Sequence, residues 1–360
     1  MENWIIGERI SRDNNYNILR IMAAMAVMYG HMYVLLGLGA PVLYANEINS
    51  LGFKILMVLS GYMVTQSCVY DSRLSHYVIK RVFRLLPALM LYVCIAIFII
   101  GPVFTVLPLN EYFKNRVTWQ YLYNVLMNPR FQLPGVFMDN PYPNVINGSL
   151  WGLPIEVCCY VLIYIVLRLL CKLSWRRIAL FGLTVLLCAL SICQIVFLPE
   201  MFAPLWGTNW ARIFTLGPYF FCGALFAVTD LKKYCNIQVA FLLFVLSVAF
   251  HSDTYVINEI MAMCMIPYMV ISLGECRQPV FSRFFRNADI TYGIYLWGFP
   301  IQQIFVHTLI VVKQYTIGVN EIFVISFAAT SVTALASWYI VEKPAASLIK
   351  KIMKNIPENN

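Results

Sequence analysis

The sequence predicts an all-α integral membrane protein, a bundle of about ten transmembrane helices with both termini in the cytoplasm. Three observations lead there. Hydrophobic residues make up 61% of the 360 and charged residues 12%, where a soluble domain carries roughly 25% charged residues. Ten apolar runs follow one another, at 18–37, 51–70, 85–107, 150–170, 178–198, 212–230, 237–250, 255–273, 290–312 and 321–341, and a spanning helix needs about 20 such residues. The basic residues behind the net charge of +9 lie in short clusters between the runs, the pattern that orients helices in a bilayer. That distribution argues for a lipid environment and against a nucleic-acid partner.

Each element follows in order. Met1 to Tyr16 is polar and has no short apolar core with a small-residue cleavage site, so the first run is expected to stay as an anchor. With the N-terminus inside, one set of connections holds Arg9, Arg12, Arg20, Arg73, Lys80, Arg81, Arg84, Arg168, Lys172, Arg176, Arg177, Lys232, Lys233, Arg277, Arg283, Arg286, Lys343, Lys350, Lys351 and Lys354. These are 20 of the 26 basic residues. Lys54, Lys114, Arg116, Arg130, Arg212 and Lys313 fall on the other side, so the positive-inside rule puts both ends in the cytoplasm. Residues 1–347 read as a single transmembrane domain and 348–360 as a cytoplasmic basic tail. The long polar stretch 108–149, rich in Pro, Asn and aromatics, reads as an outer cap. The eleven cysteines sit in spans or near inner ends, such as Cys171, Cys235 and Cys276, so no disulfides are expected. None has metal-ligand spacing, Cys158 and Cys159 being adjacent, and no metal is expected.

A polar or ionisable residue inside a span is costly and marks a functional site by default. Span one holds Arg20 and His31, eleven residues or about 16 Å apart along the axis. Span four holds Glu156. His31 and Glu156 each lie about six residues, or about 9 Å, from the outer end. A carboxylate beside an imidazole suits a general base, and the same pair also serves as a self-neutralising structural contact. Arg81 and Arg84 share a helix face ahead of Pro87. They fit two readings: topology signals, or a bidentate grip on phosphates. Ser60-Gly61-Tyr62 in span two suits close helix packing, and Tyr292 and Tyr295 fit interior aromatics. His76, His251 and His307 are given no role. Asn147-Gly148-Ser149 has the form of a glycosylation sequon.

Five segments together resemble the acyltransferase-3 family of membrane-bound O-acyltransferases. They are Asn17-Ile18-Leu19-Arg20 with His31; Val58-Leu59-Ser60-Gly61-Tyr62; Lys80-Arg81-Val82-Phe83-Arg84-Leu85-Leu86-Pro87; and Ser149-Leu150-Trp151-Gly152-Leu153-Pro154-Ile155-Glu156. The fifth combines Tyr292-Gly293-Ile294-Tyr295-Leu296 with Ser337-Trp338-Tyr339-Ile340-Val341-Glu342-Lys343-Pro344. The family often has aspartate at Asn17 and histidine at Gly298, so a second histidine has no counterpart here.

The resemblance implies transfer of an acyl group, acetyl being commonest, from acyl-CoA to a hydroxyl of a cell-surface or lipid-linked carbohydrate, in the bacterial cytoplasmic (inner) membrane. On that reading Arg20, Arg81 and Arg84 bind the donor phosphates, and His31 is either the general base or a transiently acylated nucleophile. Glu156 orients His31, and Ser60, Tyr62, Asn147, Trp151, Tyr292 and Tyr295 give substrate or structural support. The alternative from another class is a proton-coupled transporter or flippase of a polar or lipid-linked solute, which also carries buried charges within its spans.

Overall fold

The computed structural model describes residues 14–43, 46–71, 73–170, 175–249, 252, 254–276 and 289–355. Arg9, Arg12, Cys171, Lys172, His251, Arg277, Arg283 and Arg286 lie outside the described residues. The chain is an all-α bundle, and each of the ten apolar runs is a helix. They are α1 (Tyr16–Leu35), α2 (Ile48–Tyr70), α3 (Leu74–Phe104), α4 (Gly148–Arg168), α5 (Arg176–Phe197), α6 (Arg212–Val228), α7 (Ile237–Val248), α8 (Tyr255–Gly274), α9 (Thr291–Val312) and α10 (Val319–Met353). Eight are long and apolar enough to cross a membrane; α6 and α7 are shorter. Sheet among the described residues is limited to two antiparallel pairs of two-residue strands.

Two helices run past their apolar runs. Helix α3 starts at Leu74 and carries Lys80, Arg81 and Arg84 in its first turns, where the sequence suggests a loop. Helix α10 continues through Lys343–Asn355, so most of the expected basic tail is helical. Hydropathy detects the apolar slab, but the hydrogen-bond ladder continues through the interface, where Lys and Arg stems extend their charges to water.

Helix α2 is central, packing on α6 and α1 most extensively and on α4 and α8 as well. Its crossing with α6 requires glycine on both sides. A Cβ on Gly61 would sit 1.9 Å from the Phe220 carbonyl oxygen, and one on Gly223 would sit 2.1 Å from that of Val58. Small residues thus let the two backbones touch, as membrane helices without a hydrophobic drive require. Helix α7 is peripheral and exposes Phe241, Leu242 and Val248, which suits lipid contact.

The 108–149 segment forms an ordered cap. Buried Asn124 donates to the carbonyls of Tyr121 and Arg130 and accepts from the Arg130 amide. Asn140 donates to Gln303 on α9, while Gln303 donates to the carbonyls of Tyr142 and Val145. His307 bonds Asn140 at 2.9 Å, which gives that histidine a role in seating the cap. Asn147 is fully buried; it donates to the Leu296 carbonyl and accepts from the Ser149 amide. It therefore starts α4 and ties it to α9, and is closed off as a glycosylation site. The ten described cysteines are free thiols.

Candidate active site

Two of the cavities among the described residues lie at different depths in the bundle. The first, about 310 Å³, is at the end where the basic residues collect, and its wall includes Arg20, Lys80, Arg81, Arg84, Asp289, Ser60, Glu156 and Tyr160. Arg20 and Arg84 both reach Asp289 Oδ2, at 2.7 and 2.8 Å, and Arg84 Nη1 lies 3.9 Å from Glu342 Oε2. A π-helical turn of α10, Trp338–Glu342, brings Glu342 there. Burial pushes the Asp289 carboxyl up, but the two guanidiniums outweigh it and hold it well below the usual carboxylate range. Lys80 is paired with Asp71 at 2.9 Å. Arg81 differs. It makes no ion pair among the described residues, lies over the rings of Tyr77 and Tyr160, and has a buried Nε without a hydrogen-bond partner. The cavity thus holds an uncommitted cation beside a cradle of committed ones, which suits a ligand with several phosphates.

The second cavity, about 990 Å³, lies under the cap. His31 lines it with Glu47, Asn49, Gln132, Tyr142, Trp151, Asn209 and Arg212. The His31 ring packs edge-on against Phe299, centroids 5.3 Å apart, and makes no hydrogen bond among the described residues. Arg212 lies over the Trp151 ring at 4.0 Å. Aromatic faces interleaved with amides and charges suit a polyhydroxylated ligand.

His31 and Glu156 are not brought together. Glu156 lines the arginine cavity, where its Oε1 accepts from Ser60 at 2.7 Å and from Tyr160 at 2.5 Å. The equal depths inferred from the sequence shift for two reasons. Helix α1 ends at Leu35, four residues past His31, which raises the imidazole toward the cap. Helix α4 is entered through a 3-10 turn from Gly148, which sets Glu156 eight residues inside. Glu156 therefore cannot orient the His31 ring directly in this arrangement.

The remaining sequence-predicted residues divide by location. Tyr292 lines the arginine cavity, donates to the Leu85 carbonyl and lies under Arg84. Trp151 lines the cap cavity, and Tyr295 lines both. Tyr62 lies in neither wall: with Tyr16 it donates to Glu275 Oε1, at 2.6 and 2.8 Å, tying α1 and α2 to the end of α8. Gly298, where family members often have histidine, faces Met28, whose side chain takes the space a larger residue would need.

Sequence reasoning misses a buried ion pair. Lys54 Nζ is 2.6 Å from Glu259 Oε2, and both side chains are at most 3% exposed. Asn46 accepts from Lys54 at 2.7 Å, and Tyr219 donates to Glu259 at 2.9 Å. Lys54 also lines the cap cavity. The signal was available: a lysine four residues into span two and a glutamate five residues into span eight enter from the same side at matching depth. Asp289 and Glu342, the acids that hold the arginines, are also missed. No group of three or more potential metal ligands occurs among the described residues.

A bundle of ten apolar helices among the described residues, with a cationic cavity at one end and a histidine cavity at the other, defines a multi-pass membrane protein with two solute-sized sites. Its sequence places it more narrowly. The sequence profile of the acyltransferase-3 family, described as an acyltransferase domain, matches residues 13–342, so the chain belongs to that family. It is similar to an O-acetyl transferase of Shigella phage Sf6, 25% identical over 341 residues that cover 92% of this chain and 96% of the relative. It is also similar to Nodulation protein 10 of Rhizobium leguminosarum bv. viciae, 24% identical over 363 residues that cover 93% and 94%. No solved structure matches.

Proposed function

We propose that this protein transfers an acyl group, acetyl in the first instance, from acyl-CoA at the cytoplasmic face to a hydroxyl of a cell-surface or lipid-linked carbohydrate at the outer face of a bacterial cytoplasmic membrane. The observation that carries this reading is the pair of cavities. One is built of guanidiniums and the other around an unpaired imidazole, and both are lined by Phe53 and Tyr295. Family membership and the similarity to a phage O-acetyl transferase support O-acyl transfer.

In this scheme the donor phosphates lie against Arg20, Arg81 and Arg84, taking over guanidinium positions now held by Asp289. The pantetheine arm passes Ser60, Glu156 and Tyr160, whose polar groups suit its amides. The acyl thioester then meets the acceptor near His31. The neutral imidazole accepts the hydroxyl proton as the oxygen attacks the thioester carbonyl. The C–S bond breaks as the ester forms, and the departing thiolate takes up a proton. The separation of about 16 Å between Arg20 and His31 spans the distance between donor anchoring and chemistry.

The test uses membranes from the native host with and without this gene, supplied with acetyl-CoA labelled in the acetyl group. Label entering surface glycan only when the gene is present is the expected result. Equal labelling in both, or none, overturns the reading.

A further inference from the structure

Among the described residues, the two cavities share Phe53 of α2 and Tyr295 of α9 in their walls. Their rings are stacked, 17° from parallel with centroids 6.2 Å apart. Trp151 braces Phe53 edge-on, centroids 5.3 Å apart, and the Tyr295 hydroxyl donates to the Ser149 carbonyl. Gly152 completes the ring of contacts. A Cβ there would sit 2.5 Å from Phe53 Cζ and 2.9 Å from the Tyr295 hydroxyl oxygen. Three helices thus close a single aromatic layer. Glu156 lies one helical turn to one side of Gly152, and His31 is in the cavity on the other side.

We propose that Phe53, Tyr295 and Gly152 form a neck that selects the acyl group by cross-section. The inference rests on the acyl-transfer reading, because only a donor held at the arginines and consumed near His31 must send its acyl tip through this layer. A straight acyl chain is no wider than the arm that carries it. A branched chain is wider. The rings on one side and the α4 backbone on the other are already in contact, so an acyl tip passes only by displacing the Phe53 ring, and a branched chain needs the larger displacement. Tyr295 is pinned and Gly152 has no side chain to remove, so Phe53 is the residue that sets the width.

Butyryl and isobutyryl groups test this, since they have the same atoms and differ in breadth. Host membranes are supplied with labelled acetyl-CoA, butyryl-CoA or isobutyryl-CoA, and incorporation into glycan is compared for the wild type, Phe53→Ala and Phe53→Leu. The expected result is an isobutyryl-to-butyryl ratio about tenfold higher in Phe53→Ala, the order of effect of one misfitted methylene group. A smaller rise is expected in Phe53→Leu, which keeps most of the packing if the alanine variant folds poorly. Gly152→Ala is expected to lower the ratio further. A wild type that moves acetyl but variants with an unchanged ratio overturn the neck alone. A rise in butyryl and isobutyryl together also overturns it, because that marks a larger pocket and not a wider passage. No transfer by the wild type from any acyl-CoA overturns the acyl-transfer reading and the neck with it.

Discussion

The arginine cavity and the cap cavity differ in size and chemistry. The first is about 310 Å³ and walled by charges that already hold one another. The second is about 990 Å³ and walled by aromatic rings and amides interleaved with single charges such as Glu47, Lys54 and Arg212, under an ordered cap. A small, charged and preorganised site suits a ligand that never changes, such as the phosphates of a common donor. A roomy site suits a bulky acceptor. On the proposed reading the division also separates two kinds of failure: loss of donor affinity and loss of chemistry. Mutations on each side therefore test whether the cavities act independently.

The largest effect is expected at His31. His31→Ala should lower the maximal transfer rate by about 100-fold or more, the usual contribution of a positioned general base. The apparent KM for acyl-CoA should not move, because the arginines are untouched. Initial rates across a donor concentration series measure both. A large rise in donor KM would break the separation, since it would place the donor's grip on the cap side.

Next comes the ion pair beside the same cavity. Lys54→Ala leaves Glu259 buried without its cation, and breaking a buried pair in this way costs about 3–5 kcal/mol. A sharp loss of monodisperse protein in detergent and a lower melting temperature are expected. Lys54→Met combined with Glu259→Gln should recover most of that loss, because the unpaired charge is gone. If the single variant were as stable as the wild type, water would already be reaching the pair through the cavity.

The donor side should respond in affinity. A hydrogen bond to a charged group contributes about 1.5–3 kcal/mol, or roughly 10- to 100-fold in binding. Arg81→Ala should raise the apparent KM for acyl-CoA by that factor with little change in maximal rate. Arg84→Ala should do so less, because Asp289 and Glu342 already engage Arg84. The same titration of rate against donor checks both. A lower maximal rate at unchanged KM would assign these arginines to the chemistry and not to anchoring.

Much of this was legible before the structure, for identifiable reasons. The eight long helices could be read because an apolar run of about 20 residues has few alternatives in water; α6 and α7 are shorter and stand out by their apolar composition alone. The arginines could be read because Arg81 and Arg84 repeat at helical spacing. The placement of Glu156 could not, because the 3-10 entry from Gly148 and the early end of α1 each shift depth by a few residues, which hydropathy does not resolve. The Lys54–Glu259 pair is 205 residues apart in sequence, and only the crossing of α2 with α8 joins them. The neck was hidden most completely. Phe53 is an unremarked aromatic in an apolar run, and its position between two cavities exists only in three dimensions.

The smallest expected effect lies where α2 turns into α3, outside the spans. Asp71 accepts from Lys80 and Arg73 and contacts His76 Nδ1 at 2.8 Å. Burial pushes its carboxyl up, but hydrogen bonds from Lys80 and His76 outweigh that and hold it below the usual carboxylate range. A carboxyl whose folded-state pKa is depressed stabilises the fold fully above its unfolded pKa of about 4, and that stabilisation fades as pH falls below it. Asp71→Asn should therefore cost no more than about 1 kcal/mol at neutral pH, as for partly exposed ion pairs. It should also flatten the acid side of a melting-temperature profile between about pH 5 and 3. The donor KM should be nearly unchanged, because Arg20, Arg81 and Arg84 keep their places in the cavity wall. A rise in KM matching that of Arg81→Ala would instead mean that Asp71, through Lys80, helps set the shape of the phosphate site.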